Sequence, residues 1–362
     1  MAAGCSGGFG FSCVSYRDQE LDMSLKSAGW VRYAPETEID NLNLVGRVAV
    51  VRRDRFVVWM ESGEVTATVS GHLRHSGEEQ PCLGDWVRLR DGDVIWSVMP
   101  RRTKLSRKEP GARIREQVLA ANLDVLFVVS GLDGDYNLRR LERYLVMARE
   151  SGARPVVLLN KADLRGDLDE VGRATESVAA GVPVLAVSAI TGAGMDSVCG
   201  QVGLEETAAL IGSSGVGKSA IVNALLGEER QRTSSVRESD SKGRHTTTHR
   251  ELIRMPGDWL LMDMPGVREV QLWSDAERVD DAFEDIAELA AQCRFRDCSH
   301  EGEPGCAVRD GNLDPMRLRS YHKLKREGSF LERQNDWLVA KQTRKKWNAI
   351  EKAVRRHPKR LS

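Results

Sequence analysis

A glycine-rich segment ending in a lysine and a serine has the composition of a phosphate-binding loop. Its eight residues, GSSGVGKS at 212–219, fit the pattern G-x-x-x-x-G-K-[S/T] without a mismatch. Such a loop turns backbone N–H groups toward phosphate oxygens, while its lysine reaches the β- and γ-phosphates and its serine hydroxyl coordinates Mg²⁺. The apolar run before it and the helix-forming stretch after it favour this interpretation over a chance glycine-rich turn. The predicted nucleotide contacts are Gly212, Ser213, Ser214, Gly215, Val216, Gly217, Lys218, Ser219 and Ala220.

A second motif can distinguish guanine from adenine. The residues NKAD at 160–163 follow an apolar run, which places them at the carboxyl edge of a predicted sheet. The carboxylate of this motif can accept hydrogen bonds from N1–H and the 2-amino group of guanine, whereas adenine would leave it unpaired. The lysine stem can pack along the base, and a Ser-Ala pair after the next predicted strand can offer a backbone N–H to guanine O6. The predicted base contacts are Asn160, Lys161, Ala162, Asp163, Ser188 and Ala189.

Two further segments have the character of nucleotide switches. The residues DMPG begin at Asp263 after another apolar run and end at Gly266. In a GTPase this Asp holds Mg²⁺ through water, and the Gly N–H can detect the γ-phosphate. Between the phosphate loop and this motif lie three consecutive threonines in the segment GRHTTTH at 243–249, of which we favour Thr247 as the Mg²⁺-binding hydroxyl. Ser219 and Thr247 are thus the predicted magnesium ligands.

The residue that orients the attacking water is less obvious. Many small GTPases carry a Gln directly after the D-x-x-G motif, but Val267 occupies that position here and cannot polarise water. We therefore expect slow hydrolysis by the isolated protein and stimulation by a partner. His245 adjoins the predicted switch threonine, and its imidazole could accept a proton; a loop histidine that contacts a partner or nothing remains the alternative. The predicted catalytic residues are His245, Lys218 and Thr247.

The order of these motifs differs from that of an ordinary G domain. The base-reading motif comes first, at 160, followed by the phosphate loop at 212 and the D-x-x-G motif at 263. A sheet can be cut at one loop and rejoined at another while its strands keep their neighbours. We therefore predict a circularly permuted G domain that ends just after its second switch, so that the following domain is tethered to the element that responds to the γ-phosphate.

Three cysteines and a histidine cluster within 14 residues. Their pattern is C-x4-C-x-H-x5-C, a closed set of four ligands of the kind that holds structural Zn²⁺. In a reducing compartment such a cluster indicates a metal rather than disulfides. The predicted zinc ligands are Cys293, Cys298, His300 and Cys306.

The C-terminal region is strongly basic although the whole chain is neutral. Lys plus Arg and Asp plus Glu number 53 each, yet residues 317–360 contain 15 basic and only four acidic residues, interleaved with Trp337 and Trp347. Such a tail suits contact with a phosphate backbone, and a solvated helix is the alternative.

Length and composition indicate a multidomain chain. Its 362 residues are enough for two or three domains, and no apolar run approaches the roughly 20 residues that span a bilayer. The first 22 residues are rich in Gly and Ser and lack the features of a secretory signal, so we interpret them as a disordered leader, or as upstream sequence if translation starts at Met23, and expect a cytoplasmic protein. We also expect that the protein does not bind membranes and that it is a monomer.

The predicted elements divide the chain into four parts. Five short β-rich runs between Leu44 and Leu105 favour an OB-fold, with an SH3-like barrel or a β-sandwich as alternatives. A basic linker at 101–108 follows, and from Asn122 apolar strands alternate with helical stretches, as in a mostly parallel α/β sheet. We therefore predict a disordered leader at 1–40, an OB-fold at 41–108, a permuted GTPase domain at 111–275, and an α-helical zinc-binding domain with a basic tail at 276–362.

Together these motifs resemble the RsgA (YjeQ) family of bacterial GTPases over nearly the whole chain from about Leu25. The matching segments are GRV at 46–48, GDWV at 84–87, QVLAANLD at 117–124, NKAD at 160–163, the phosphate loop, GRHTTT at 243–248, DMPGVRE at 263–269, and the Cys/His cluster. The resemblance implies an OB-fold, a permuted G domain and a zinc domain. It also implies late maturation of the small ribosomal subunit, rRNA contact, and GTPase activity that this subunit stimulates. The leader before Met23 and the basic tail after about Glu327 depart from the family pattern.

Two other functions are compatible with parts of the pattern. One is a GTP-regulated translation or signalling factor without a role in ribosome assembly. The other is a non-enzymatic RNA-binding protein that needs nucleotide only for its shape. The permuted order and the metal cluster favour the assembly GTPase over the first, and the complete set of phosphate, Mg²⁺ and base motifs favours it over the second.

Overall fold

The N-terminal segment packs against two domains. The computed structural model describes residues 24–33, 44–76, 79–108, 116–179, 181–228, 250–264, 276–330 and 333. Within the first range, helix α1 (Trp30–Tyr33) follows a turn in which Leu25 and Ala28 are buried. The Trp30 ring meets Trp86 edge to face with 4.8 Å between centroids. The prediction of a disordered leader is therefore wrong for residues 24–33, because their few apolar side chains find partners far away in the sequence; the rest of 1–40 lies outside the described residues.

Five strands close into a small barrel. They are β1 (Val45–Val51), β2 (Phe56–Met60), β3 (Gly63–Val69), β4 (Trp86–Arg90) and β5 (Val94–Val98), with the short helix α2 (Gly71–His75) between β3 and β4. Their order is β1-β2-β3-β5-β4, and β4 pairs back with β1. Only the β3–β5 pair is parallel. A closed five-stranded barrel of this order is an OB-fold, as predicted, rather than a sandwich.

A buried arginine joins the barrel to its neighbours. Arg47 on β1 donates to the carbonyl oxygens of Ala28 at 2.6 Å, Asn122 at 2.9 Å and Gly84 at 3.3 Å. Burial lowers its pKa to about 10, so the guanidinium stays charged at neutral pH. Because each acceptor lies in a different part of the chain, this one side chain ties together the N-terminal segment, the barrel and the start of the central domain.

A two-stranded ribbon connects the barrel to the central sheet. Strand β6 (Lys104–Lys108) pairs antiparallel with β7 (Glu116–Ala121). From Lys104 onward, the predicted basic linker at 101–108 is therefore a paired strand. Lys104 forms an ion pair of 2.7 Å with Glu116, and Leu105 is buried.

The central domain is built on six strands. They are β8 (Val125–Gly131), β9 (Arg154–Asn160), β10 (Val184–Ala186), β11 (Thr207–Ile211), β12 (Arg250–Met255) and β13 (Trp259–Asp263). Their order is β10-β9-β8-β11-β13-β12; the first five are parallel and β12 is antiparallel. Strand β10 is only three residues long and only partly buried, because it lies at the sheet edge.

Helices cover both faces of this sheet, as an α/β fold requires. Leu126 and Val128 of β8 belong to a core shared with α3 (Leu138–Ser151) and α4 (Leu168–Ala179). The alternate β8 residues, including Phe127, belong to a second core shared with α5 (Met195–Cys199) and α6 (Lys218–Leu226). No helix within the described ranges is long and apolar enough to cross a bilayer.

The barrel and the central sheet are continuous. Val50 and Val51 at the end of β1 pair antiparallel with Glu251 and Arg250 of β12. The hydrogen-bonded sheet therefore runs from the edge strand β10 of the central domain to β4 of the barrel, eleven strands in all.

The C-terminal helices dock on α3. They are α7 (Ala276–Ala282), α8 (Glu284–Ala290), α9 (Ala307–Asp310) and α10 at 315–330. Phe283 and Tyr321 belong to the same apolar core as Leu141 and Leu145 of α3. At the rim, Arg143 of α3 makes two hydrogen bonds of 2.9 and 3.0 Å to Glu327. The C-terminal part thus packs directly against a helix of the central domain.

Candidate nucleotide-binding site and metal centre

The predicted nucleotide motifs meet at one edge of the sheet. Strands β9, β8, β11 and β13 are consecutive parallel neighbours, with Gly131 opposite Asn160, Ile211 opposite Val128, and Ala209 opposite Met262. The residues that follow these strands therefore emerge side by side at the carboxyl edge, where α/β sheets bind ligands. The fold brings together three motifs that are separated by about a hundred residues of chain.

The phosphate loop has a conformation that only glycine permits. Gly212 has φ +150°, and a Cβ there would lie 2.3 Å from the carbonyl oxygen of Val129. Gly217 has φ +94°, and a Cβ there would lie 2.3 Å from Nδ2 of Asn160. Helix α6 begins directly afterwards at Lys218, so its N-terminal end lies at the loop. This arrangement is the cradle that a phosphate chain needs.

Lys218 lies folded over the phosphate loop. Its Nζ donates to the carbonyl oxygens of Gly212 at 2.7 Å and of Ser213 at 2.6 Å. The ammonium group is thus held within the loop itself, at the position where phosphate oxygens would replace the two carbonyls as partners. Ser219 and Ala220 form the first turn of α6 after it.

Asn160 links the base-reading motif to the phosphate loop. Its Nδ2 donates to the carbonyl oxygen of Val216 at 2.8 Å, and its Oδ1 accepts from the backbone N–H of Ala189 at 3.2 Å. The side chain is 2% exposed, so both hydrogen bonds are shielded from water. One buried amide therefore fixes the spacing of all three loops that would surround the nucleotide.

Lys161 crosses back over the phosphate loop. Its backbone is left-handed with φ +66°, which is uncommon for a residue with a side chain. Its Nζ donates to the carbonyl oxygen of Gly215 at 2.8 Å and forms an ion pair with Asp133. Partial burial would raise the pKa of Asp133, but hydrogen bonds from Lys161 and from the backbone N–H of Asp135 outweigh it and lower that pKa.

Asp163 lies at the surface, next to the Ser188 loop. Its carboxylate accepts a hydrogen bond of 2.5 Å from the Ser188 hydroxyl, and that hydroxyl accepts from the N–H of Thr191 at 3.2 Å. Ala162 donates its N–H to Val187 at 3.1 Å. These contacts orient the carboxylate while leaving its other oxygen toward solvent, where a purine could reach it.

The remaining predicted residues differ in what the structure shows. Asp263 ends β13, half-buried and next to β11, whose end leads into the phosphate loop. Gly266, Thr247 and His245 lie outside the described residues. Sequence reasoning missed Asp133, because a lone aspartate in a D-G-D turn matches no motif; its place two residues after a buried strand was the only available signal.

A separate cavity of about 250 Å³ lies near the opposite edge of the sheet. Among its lining residues, Glu206 accepts from Gly203 N–H at 2.8 Å and forms ion pairs with Arg32 at 3.0 Å and Arg154 at 3.1 Å. Burial would raise the pKa of Glu206, but these donors outweigh it and lower that pKa. The charged groups satisfy one another, which makes this region a junction between domains.

The predicted metal ligands converge in the C-terminal part. The ligand atoms of Cys293, Cys298, His300 and Cys306 all lie within 4.8 Å of one another. Nδ1 of His300 is 3.6 Å from the sulfur of Cys293 and 3.5 Å from that of Cys306. Tetrahedral Zn²⁺ with ordinary bond lengths separates sulfur and nitrogen ligands by roughly 3.6 Å, so the cluster fits this ion.

The loop that carries these ligands has its own support. The Glu303 carboxylate accepts from the N–H groups of Ser299 at 2.8 Å and Gly302 at 3.1 Å, as well as from the Ser299 hydroxyl. These hydrogen bonds hold the pKa of Glu303 well below its usual value, and the bond from the Ser299 hydroxyl has the largest effect. His300 lies within this turn with φ +60°, which directs its ring toward the sulfurs.

Comparison with known families agrees with this architecture. The family model described as RsgA GTPase matches residues 98–273. The small ribosomal subunit biogenesis GTPase RsgA of Opitutus terrae is 44% identical over 361 residues, covering 92% of this chain and 97% of that protein. The small ribosomal subunit biogenesis GTPase RsgA 1 of Oceanobacillus iheyensis is 40% identical over 335 residues, covering 88% of this chain and 95% of its own length.

Two solved structures share the fold. The crystal structure of YjeQ from Thermotoga maritima superposes with a TM-score of 0.60 at 24% identity, covering 78% of this chain and 98% of that one. The structure of YloQ, described as a circularly permuted GTPase, gives a TM-score of 0.56 at 22% identity and covers 81% of this chain and 98% of that one. The similarity extends over nearly the whole of both structures.

Proposed function

Because the chain belongs to the RsgA family of circularly permuted GTPases, we propose that it binds GTP at the carboxyl edge of its central sheet and hydrolyses it to GDP and phosphate during late maturation of the small ribosomal subunit. The observation that carries the proposal is the shared edge: Asn160 bonds both the phosphate loop and the Ala189 loop, so base reader and phosphate cradle form one site.

Each part of the edge has an assigned task in this proposal. The backbone of 212–217 and the ammonium of Lys218 hold the phosphates, and Asp163 reads the guanine N1–H and 2-amino group. Ser219, Thr247 and, through water, Asp263 would hold Mg²⁺, which when bound neutralises charge on the β- and γ-phosphates. The N–H of Gly266 senses the γ-phosphate.

Hydrolysis by the isolated protein should be slow. Val267 follows the D-x-x-G motif where many small GTPases have a Gln. We assign orientation of the attacking water to His245, beside the switch threonines, and completion of the site to contact with the ribosomal subunit. The names of the relatives, small ribosomal subunit biogenesis GTPases, support this partner, and such a partner supports the expected cytoplasmic location.

The C-terminal cluster would hold one structural Zn²⁺ through three thiolates and one imidazole. When bound, the ion would cross-link the loop between the short helices α8 and α9. The OB-fold barrel at 41–108 and the zinc domain at 276–362, with its basic tail, are proposed to contact rRNA on either side of the GTPase domain at 111–275.

One assay tests the proposal against its competitors. GTP turnover is measured with the protein alone, and then with purified small subunits, large subunits or free RNA. Stimulation by small subunits only is the expected result. Equal stimulation by all three, or by none, would favour a translation or signalling factor, and absence of turnover under every condition would favour a nucleotide-dependent RNA-binding protein.

A further inference from the structure

An acidic side chain outside the known nucleotide motifs holds one of their residues in place. Asp133 lies two residues beyond the end of β8, and Lys161 lies one residue beyond the end of β9. The strand ends are locked together, since Gly131 pairs with Asn160 and the N–H of Leu132 donates to the Asn160 carbonyl at 2.8 Å. The carboxylate and the ammonium therefore meet because two adjacent strands end at the same level.

The Asp133 side chain is itself fixed from two sides. Its Oδ1 accepts from the backbone N–H of Asp135 at 3.2 Å, so the turn cannot swing away freely. A Cβ on Gly131 would lie 2.9 Å from this same Oδ1, so glycine at 131 leaves the room that the carboxylate occupies. The other oxygen, Oδ2, is directed to Nζ of Lys161.

Lys161 needs such an anchor because its side chain has many rotamers. A free lysine stem loses rotamer entropy when it is ordered against a ligand, and this loss weakens binding. Here the Nζ is bound by Asp133 on one side and by the carbonyl of Gly215 on the other, so protein contacts alone hold the stem along the phosphate loop. These contacts reduce the ordering cost that nucleotide binding would otherwise carry.

We propose that Asp133 is a positioning residue for guanine nucleotides: it orders Lys161 so that the lysine stem forms a preformed wall for the purine. The inference rests on the proposed function, because it assigns a task within that nucleotide site. Asp133 touches neither phosphate nor base, and it acts only through Lys161. Its effect must therefore fall equally on GTP and GDP and leave hydrolysis at saturation unchanged.

The expected effect is modest because the pair is partly exposed. The side chains of Lys161 and Asp133 are 23% and 35% exposed, which limits the worth of the ion pair. We expect Asp133→Ala to raise the Kd of GDP and of GTP by about three- to tenfold, with Asp133→Asn, which keeps an acceptor oxygen, in between. The KM for GTP should rise by the same factor, while kcat stays within a factor of about two.

The test is a double-mutant cycle read by fluorescence titration with N-methylanthraniloyl GDP and GTP. Asp133→Ala is measured in the wild-type chain and in a Lys161→Met chain, which keeps the apolar stem and loses the ammonium. If Asp133 acts through Lys161, its removal costs less than twofold in the Lys161→Met chain. Equal costs in both chains, or tighter binding by Asp133→Ala, would overturn the inference.

A matched control separates positioning from a general effect of charge. Asp167 also forms an ion pair close in sequence to the base-reading motif, with Arg165, but it contacts no residue of that motif or of the phosphate loop in the part of the chain that the structure describes. Asp167→Ala should leave both Kd values unchanged; a rise like that of Asp133→Ala would overturn the inference. A wild-type chain that binds neither nucleotide would instead defeat the proposed function, and this inference with it.

Discussion

The Glu142 carboxylate on α3 accepts a hydrogen bond of 3.1 Å from Nη1 of Arg317 on α10, and both side chains are almost wholly buried. The same guanidinium binds Asp285 through Nε at 2.6 Å and Nη2 at 2.7 Å, and it lies 4.6 Å from the centroid of the Phe283 ring. Arg317 thus connects the C-terminal helices to α3, and the loop that precedes α3 contains Asp133. Buried charges of this kind are costly to leave unpaired.

Replacing Arg317 should therefore loosen the C-terminal part. In Arg317→Met, Glu142 keeps only its hydrogen bonds from Arg139, and we expect a loss of about 3 kcal/mol in the stability of this docking. Urea unfolding followed by limited proteolysis measures it, as an earlier transition in which fragments of 276–330 are released. Arg319→Met, an exposed arginine on the same helix, is the control, and an equal shift for both variants would contradict the prediction.

Removal of the metal should unfold the C-terminal loops and spare the sheet. We expect about one zinc per chain by mass spectrometry of the metal, and almost none in Cys306→Ser, because three ligands bind this ion far more weakly than four. Protease sites should then open in 291–306. Cys199→Ser removes an exposed cysteine outside the cluster and should keep its zinc. Full metal content in Cys306→Ser would show that the four residues are not the ligand set.

A methyl group at Gly217 should disrupt the phosphate loop. Gly217→Ala places a Cβ against Nδ2 of Asn160 and also imposes φ strain, so we expect GDP affinity to fall by at least about tenfold. Gly215→Ala is the matched comparison: its φ is +84°, but nothing lies within 4 Å of its Cβ. Calorimetric titration with GDP of both variants separates the effect of backbone strain, which both share, from that of the steric clash with Asn160, which only Gly217→Ala has. The prediction fails if the two variants lose equal affinity.

Exchanging the base-reading carboxylate should change which purine is bound. Asp163→Asn keeps one acceptor oxygen for N1–H but replaces the other by an NH2 group. Guanine therefore loses the hydrogen bond of its 2-amino group and faces a second donor there, while xanthine, with a carbonyl at position 2, gains a donor. We expect GTP affinity to fall by about a hundredfold or more and XTP to bind better than GTP. Competition titrations measure this. Retained preference for GTP would remove Asp163 from the base site.

The junction near the opposite edge of the sheet should respond to acid through Glu206. Because its pKa is lowered in the folded chain, Glu206 adds stability that is fully present above its ordinary pKa near 4.5 and is lost as pH falls through the folded value. Glu206→Gln should therefore unfold at lower urea than wild type at pH 7, and the gap should close as the pH approaches 3. A gap independent of pH would assign the effect to packing instead.

Most residues of the candidate nucleotide site could be predicted from the sequence, because phosphate and base chemistry demand particular residues at fixed spacing. The same holds for the metal cluster, whose four ligands are close in the chain. Residues that act through tertiary contact could not be predicted in this way. In the sequence, nothing distinguishes Arg47 from a surface arginine; only the fold brings three distant carbonyl groups to its guanidinium. Leu25 and Trp30 follow no periodic pattern that would predict their burial. Lys104–Lys108 reads as a charged linker because only one of its five residues is buried.

The backbone ladder between β1 and β12 has a mechanical consequence. Arg250, the partner of Val51, lies three residues after Thr247 in the chain, and β12 continues through its hairpin to Asp263. A partner that binds the barrel would therefore also be linked, through β1, to the strand that follows the segment proposed to respond to the γ-phosphate. Force applied to the barrel would be transmitted to β12 through the interstrand hydrogen bonds between β1 and β12.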